Sequence, residues 1–187
     1  MTEAPEEDDR RMERSAAVDI AGKIRAIPDF PKEGILFRDI MPLLQDAEAL
    51  RYTVDRLAEF ARAKDAELIV GAESRGFILG AAMAYKLGIG FAPARKPGKL
   101  PWKTISAEYA LEYGTDRLEM HEDAITPGTR VLIHDDLLAT GGTAKAKCEL
   151  VERLGGVVVG LAFIVELVDL RGRDKISAYD VFSLVKY

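Results

Sequence analysis

The stretch Val131-Leu132-Ile133-His134-Asp135-Asp136-Leu137-Leu138-Ala139-Thr140-Gly141-Gly142-Thr143 joins a buried strand to a polar turn. Two adjacent carboxylates, Asp135 and Asp136, follow the apolar residues, and a short loop then leads through Gly141 and Gly142 into a helix. A glycine-rich turn at a helix start presents unpaired N–H groups and the positive end of the helix dipole, which attract phosphate. The carboxylates would repel phosphate but accept hydrogen bonds from hydroxyls. The stretch therefore predicts a sugar phosphate ligand, at a loop over residues 135–143.

Composition places the chain among ordinary globular proteins. Its 187 residues suit one core, and the net charge of −5 is concentrated in the first 14 residues, which hold six acids and three arginines. We expect residues 1–14 to form a disordered acidic extension and residues 15–187 a single domain. The nearly neutral remainder excludes a broad nucleic-acid-binding face. No apolar segment has the length of a membrane span or the form of a signal peptide, and Cys148 is the only cysteine. We therefore expect a cytoplasmic protein that binds neither nucleic acid nor membrane.

Short apolar segments alternate with amphipathic segments along the chain. The predicted strands are residues 68–71, a strand through Phe91, and residues 131–133, 157–165 and 181–185. The predicted helices are residues 16–27, 50–61, 76–87 and 142–154. Residues 105–119 alternate weakly, as a peripheral hairpin would. Buried strands that alternate with helices predict an α/β fold, with a parallel sheet covered by helices on both faces. Ligands of such sheets bind at the carboxyl ends of the strands.

Other well-known sites do not fit the spacing. The P-loop pattern and the dinucleotide-binding glycine pattern are both absent from the sequence. Ser74 lies between Gly71 and Gly76 as in a nucleophile elbow, but one residue too many precedes it. His134 is interpreted as a core or strand-end histidine rather than a catalytic one, although it stands beside two carboxylates and could add a pH-sensitive interaction.

Five motifs, in order over about residues 18–187, resemble those of the type I phosphoribosyltransferases, and most of all those members that use adenine. They are Phe30-Pro31-Lys32-Glu33-Gly34-Ile35-Leu36-Phe37-Arg38-Asp39-Ile40, Ser74-Arg75-Gly76-Phe77, Arg95-Lys96-Pro97-Gly98-Lys99-Leu100-Pro101, Leu111-Glu112-Tyr113-Gly114-Thr115, and residues 135–143. The resemblance implies a mostly parallel central sheet flanked by helices, a mobile hairpin lid and a small N-terminal hood that binds the base.

The resemblance also implies a reaction. The phosphoribosyl group of 5-phosphoribosyl 1-pyrophosphate passes to adenine, which gives AMP and pyrophosphate in purine salvage. Two alternatives stay open: a 6-oxopurine phosphoribosyltransferase, and a regulator that binds phosphoribosyl pyrophosphate without catalysis. The resemblance further implies a homodimer and Mg²⁺, which bridges phosphate and sugar oxygens with few protein ligands, so no residue is assigned to the metal.

Roles follow from the resemblance residue by residue. Asp135 and Asp136 would bind the ribose hydroxyls, and Glu112, supported by Tyr113, would be the catalytic carboxylate that accepts a purine proton or stabilises its charge. The other implied ligands are Ala139, Thr140, Gly141, Gly142 and Thr143 for the 5′-phosphate; Glu73, Ser74, Arg75, Arg95, Lys96 and Lys99 for pyrophosphate; and Leu36, Phe37, Arg38 and Leu138 for adenine, with Ala139 also packing on the purine.

The residues alone leave plainer interpretations open. Glu112 could face solvent on an edge hairpin, and Lys96 and Lys99 could belong to a solvated basic loop. Arg75 could form a surface ion pair, and Leu36 and Phe37 could belong to the core.

Overall fold

The computed structural model describes residues 18–110 and 115–187, and it forms two compact units, Met1–Tyr52 and Thr53–Tyr187. The predicted extension over residues 1–14, and Glu112 and Tyr113, lie outside the described residues. The single domain expected over residues 15–187 stays a prediction.

The first unit contains a small antiparallel sheet. A 3₁₀ turn at Ala21–Lys23 precedes strand β1 (Arg25–Pro28), which pairs with β2 (Leu36–Asp39), and a short helix, α1 (Met41–Gln45), follows. The ring of Phe30 meets that of Phe37 edge-on, with centroids 5.1 Å apart.

The helix predicted over residues 16–27 is wrong in its described part. The Asp19 carboxylate accepts a hydrogen bond from the Gly22 N–H at 2.8 Å, which favours a single tight turn. The backbone then becomes extended at Arg25, because it pairs with β2 from Asp39 to Leu36. Ile20 and Ile24 are buried as the apolar pattern requires, yet strand pairing overrides the helical period.

The second unit is built on a parallel sheet. Its strands are β3 (Leu68–Ala72), β4 (Gly90–Ala94), β7 (Arg130–Leu138), β8 (Val157–Glu166) and β9 (Val181–Lys186), and the strands β5 (Thr104–Ala110) and β6 (Thr115–His121) form a separate hairpin. The sheet has the order β4-β3-β7-β8-β9 with every pair parallel. The predicted α/β class and its parallel sheet are confirmed.

Helices flank this sheet. They are α2 (Ala47–Ala63), α3 (Arg75–Leu87) and α4 (Gly142–Arg153), and two 3₁₀ turns follow β8 at Val168–Leu170 and Gly172–Ile176. Helix α4 turns its apolar side, including Cys148 and Val151, onto the core residues Val131, Ile133 and Phe163. None of the helices in the described part of the chain is long and apolar enough to cross a membrane.

The predicted hairpin is present in the described residues, and its base is fixed to the sheet. Arg95, just after β4, and Glu119 on β6 exchange two backbone hydrogen bonds, of 2.9 and 2.7 Å. The guanidinium of Arg153 on α4 donates to the Ser106 carbonyl on β5 at 2.6 Å. That the hairpin moves as a lid stays a prediction.

Strand β7 is longer than its apolar sequence predicts. Asp135 and Asp136 belong to the strand and not to the loop expected over residues 135–143, because the pairing with β8 continues from Asp135, opposite Phe163, to Leu138, opposite Glu166. The loop is thereby shortened to residues 139–141, and the carboxylates stand on a hydrogen-bonded backbone.

Candidate active site

A cavity of about 260 Å³ opens at the carboxyl ends of β3 and β7. Polar groups of four chain segments meet in it, as expected for a parallel sheet. The lining residues are Ala72, Glu73, Arg75, Lys96, Tyr109, Leu118, Asp135, Asp136, Leu137, Leu138, Ala139, Thr140, Gly141, Gly142, Thr143, Ala144 and Phe163.

One wall is the glycine loop, which we define as residues 139–143. Gly141 caps α4 with φ of +79°, a conformation that favours glycine. A Cβ at Gly141 would lie 2.3 Å from the Gly172 carbonyl oxygen, and one at Gly172 would lie 2.2 Å from that of Ala139. The two backbones therefore pack directly against each other. Gly142, Thr143 and Ala144, the first residues of α4, line the cavity, and the N–H groups of a first helical turn have no partner within the helix.

The floor carries the two carboxylates. Asp136 is 5% exposed and pairs with Arg75, and the Asp136 N–H donates to Oδ1 of Asp135 at 3.0 Å. Burial, together with the charge of Asp135, raises the pKa of Asp136 to about 6, although Arg75 opposes the shift. Both carboxylates line the cavity, where they can accept hydrogen bonds from hydroxyls, and burial makes the ionised form of Asp136 costly.

A buried lysine lies beneath Asp135. The Lys147 ammonium on α4 donates to Oδ2 of Asp135 at 2.8 Å and to the His134 carbonyl oxygen at 3.3 Å. The lysine side chain is fully buried, and that of Asp135 is 14% exposed. Sequence reasoning missed Lys147, because a helical lysine next to an apolar stripe is normally solvated.

His134 lies one residue before the carboxylates and is buried. Its Nδ1–H donates to the Ala162 carbonyl of the paired strand β8 at 2.9 Å, and Nε2 has no hydrogen-bond partner among the described residues. Burial lowers the pKa of His134 to about 4, although the charge of Asp135 opposes the shift. The imidazole is therefore neutral at pH 7, as a core histidine would be, and it does not line the cavity.

The opposite wall is basic and internally paired. Glu73 accepts from the Arg95 guanidinium at 2.7 Å and from the Lys96 N–H at 3.0 Å. Burial alone would raise the pKa of Glu73, but these two donors outweigh it and hold that pKa below its usual range. The peptide bond between Glu73 and Ser74 is cis.

The Lys96 ammonium lies in the cavity wall and is itself occupied. It pairs with Asp116 of β6 and donates to the Tyr109 hydroxyl at 2.9 Å. The hydrogen bond from Lys96 lowers the pKa of Asp116. Asp116 and Tyr109 were not predicted; both stand on hairpin strands, whose weak alternation did not mark them.

Most of the predicted site residues lie together. The cavity contains Glu73, Arg75, Lys96, Asp135, Asp136, Leu138, Ala139, Thr140, Gly141, Gly142 and Thr143. Three predicted pyrophosphate ligands do not line it: Ser74 and Lys99 are exposed, and Arg95 binds Glu73. The adenine candidates Leu36, Phe37 and Arg38 lie on β2 in the first unit, where Leu36 is 48% exposed, so it is not a core residue of this chain.

The described residues contain no group of three or more histidine, cysteine or acidic side chains that could hold a metal ion. A hard cation here would therefore take most of its oxygens from a phosphorylated ligand and water, as Mg²⁺ commonly does.

Comparison with known proteins agrees with the geometry. Residues 40–187 match the model of the phosphoribosyl transferase domain. The chain is 56% identical over 170 residues to the adenine phosphoribosyltransferase of Clostridium beijerinckii, covering 91% of this chain and 99% of the relative. The resemblance inferred from the five motifs is confirmed.

Solved structures give the same answer. The crystal structure of adenine phosphoribosyltransferase from Thermoanaerobacter pseudethanolicus superposes with a TM-score of 0.88 at 55% identity, over 90% of this chain and 98% of that one. The Saccharomyces cerevisiae adenine phosphoribosyltransferase, complexed with an imino-altritol bisphosphate and adenine, superposes with a TM-score of 0.83 at 40% identity, over 89% and 96% of the two chains.

Proposed function

The chain belongs to the phosphoribosyl transferase family, and we propose that it transfers the phosphoribosyl group of 5-phosphoribosyl 1-pyrophosphate to adenine. The products are AMP and pyrophosphate, and the reaction salvages a free purine. The observation that carries the proposal is the single cavity in which a glycine loop, two carboxylates and cationic side chains meet.

Each part of the phosphoribosyl group contacts a different wall of the cavity. The glycine loop binds the 5′-phosphate through N–H groups of α4 and through the hydroxyls of Thr140 and Thr143. Asp135 and Asp136 accept hydrogen bonds from the 2′- and 3′-hydroxyls, and such charge-assisted bonds contribute about 1.5–3 kcal/mol each. Their negative charge also favours the positive charge that develops on the sugar as pyrophosphate leaves.

The basic wall accepts the leaving group. Arg75 and Lys96 line the cavity and neutralise the charge that builds up on pyrophosphate. Arg75 pairs with Asp136, and Lys96 pairs with Asp116. When pyrophosphate binds, its oxygens therefore replace these carboxylates, wholly or in part, as partners of the two cations. Ser74, Arg95 and Lys99 do not line the cavity, but they stay proposed ligands of pyrophosphate.

Adenine packs on Leu138 and Ala139 of the second unit, and the adenine contacts inferred for Leu36, Phe37 and Arg38 of the first unit stay predictions. The acceptor is adenine rather than a 6-oxopurine, because the relatives named above carry that activity.

Glu112 accepts the proton that the purine loses on attack, and Tyr113 supports it. Glu112→Ala is expected to reduce turnover at least about 100-fold, the usual contribution of general acid–base catalysis, while ribose 5-phosphate binding is unchanged. Near-native turnover of this variant would show that Glu112 has another role.

One competition assay tests the function. The purified chain receives phosphoribosyl pyrophosphate, Mg²⁺ and equal amounts of adenine, hypoxanthine and xanthine, and the nucleotides are resolved by chromatography. AMP as the dominant product supports the proposal, whereas IMP or XMP would favour a 6-oxopurine enzyme. Binding of phosphoribosyl pyrophosphate without any nucleotide would favour a regulator.

Mg²⁺, a homodimer and a cytoplasmic location complete the proposal. Mg²⁺ would supply charge neutralisation of the substrate phosphate oxygens, with few ligands from the protein. Light scattering of the purified chain tests the dimer. A cytoplasmic location fits a substrate with several phosphate charges, which does not cross a membrane unaided, and fractionation of cells tests it.

A further inference from the structure

Lys147 is the most deeply buried charge of the described residues next to the cavity. Its side chain has no exposed area, although it lies on α4 one turn after Thr143 of the glycine loop. A helical side chain points back toward the helix N-terminus, so the ammonium reaches the carboxyl end of β7. There it contacts Oδ2 of Asp135 and the His134 carbonyl oxygen.

A fully buried ammonium is expensive unless it is paired and hydrogen-bonded. Methionine or leucine would fill the same space beside Ala144, Cys148 and Val151 without that cost. The one anion in contact with Lys147 is, within the described part of the chain, the Asp135 carboxylate, whose other side faces the cavity. Oδ1 of Asp135 accepts the Asp136 N–H at 3.0 Å, so Lys147 holds the other oxygen of a carboxylate that lines the cavity.

We infer that Lys147 is a positioning residue, which holds the Asp135 carboxylate in the orientation that the ribose hydroxyls require. The inference rests on the proposed function only in taking a ribose phosphate as the ligand. Lys147 itself does not line the cavity, so it acts through Asp135.

The two carboxylates pair with cations that differ in their exposure to solvent. Arg75, the partner of Asp136, is 40% exposed and lines the cavity, so an incoming anion can compete for it. Lys147 is out of reach of any ligand. Asp135 therefore keeps its cation through the whole reaction, whereas Asp136 shares its cation with the leaving group.

The test compares two sugar phosphates. Calorimetry measures the affinities of ribose 5-phosphate and 2,3-dideoxyribose 5-phosphate, which lacks the hydroxyls, for the wild type and for Lys147→Met. We expect the wild-type preference for the hydroxylated ligand to be about tenfold or more, and to fall at least about fivefold in the variant. Inorganic phosphate, which needs only the glycine loop, is expected to bind both proteins within about twofold.

Lys145→Met is the matched control, because Lys145 lies on the same helix, two residues earlier, and is exposed. It is expected to keep the wild-type preference. An undiminished preference in Lys147→Met would overturn the inference, and so would an equal loss of affinity for all three ligands, which indicates general damage to the site.

A second variant allows the test to be completed if Lys147→Met does not fold. If Lys147→Met leaves Asp135 uncompensated and the protein does not fold, the double variant Asp135→Asn with Lys147→Met removes both charges and is expected to fold. Failure of the double variant as well would show that Lys147 acts by packing, against the inference. The ligand preference is measured without adenine or turnover, so absence of AMP formation contradicts the proposed function and leaves this result intact.

Discussion

Arg75 pairs with Asp136 across the cavity, which joins the loop after β3 to the carboxyl end of β7. The pair has a buried end at Asp136 and a hydrated end at Arg75. Hydration weakens the attraction, so Arg75 does not fully offset the cost of burying the neighbouring carboxylates. Asp136 is consequently a proposed ribose ligand whose ionised form is disfavoured by folding.

Asp136→Asn is expected to reveal that cost in the pH dependence of unfolding. The folded-state pKa of Asp136 is raised to about 6, so between pH 4 and 6 the folded protein holds a proton that the unfolded chain has released. The free energy of unfolding of the wild type should therefore fall, relative to that of the variant, by about 1.4 kcal/mol per pH unit as pH rises through this range. Denaturant titrations at several pH values measure it; parallel curves for the two proteins would contradict the prediction.

His134→Gln is expected to show the opposite sign. The folded-state pKa of His134 is lowered to about 4, so its contribution to stability is complete above pH 6.5 and is lost as pH falls toward 4. The wild type should lose, relative to His134→Gln, about 3 kcal/mol at most over that range. Glutamine keeps a donor for the Ala162 carbonyl and does not titrate. If the wild type and the variant respond equally to pH, His134 is not the group responsible.

Gly141→Ala and Gly98→Ala separate steric from conformational effects. Both glycines have positive φ, but a Cβ at Gly98 would meet no atom within 4 Å, whereas one at Gly141 would strike the Gly172 carbonyl. Gly98→Ala is expected to cost about 1 kcal/mol of stability, and Gly141→Ala about 1–3 kcal/mol more. Only Gly141→Ala should weaken binding of inorganic phosphate. Thermal unfolding and calorimetry measure the two effects, and equal costs would show that the contact with Gly172 is easily relieved.

Asp116→Asn is expected to tighten binding of pyrophosphate. Asp116 occupies the Lys96 ammonium in the cavity wall, and removing its charge frees that cation for the ligand. A partly exposed pair contributes up to about 1 kcal/mol, so the dissociation constant should fall about fivefold or less. Asp123→Asn, an exposed position that does not line the cavity, is the control. Weaker binding in Asp116→Asn would mean that Asp116 positions Lys96 rather than competing for it.

The sequence predicted the site best where the residue type restricts the structural role that a position can have. Two adjacent glycines and two adjacent acids led to the prediction that these residues share one site, and all four line the cavity. The central strands β3, β7 and β8 were predicted because their buried residues form continuous apolar runs.

The sequence was least informative where a long-range partner decides the structure. Residues 25–28 form a strand only because residues 36–39 pair with them, and an apolar residue at every fourth position could not reveal that partner. Lys147 is buried only because Asp135, 12 residues earlier, comes within reach of its ammonium. Asp135 and Asp136 remain in a strand because β8 continues beside them.

The contact between Gly141 and Gly172 limits how far the motif can be moved between proteins. The 13 residues from Val131 to Thr143 form one continuous motif in the sequence. The backbone of its turn nevertheless packs against the Gly172 carbonyl, about 30 positions later in the chain. If these 13 residues were grafted into another protein without the segment around Gly172, the sequence would be transferred but the conformation of the loop would be lost. The structural unit that shapes the proposed phosphate site of this chain is therefore discontinuous, and it includes Gly172 as well as Gly141.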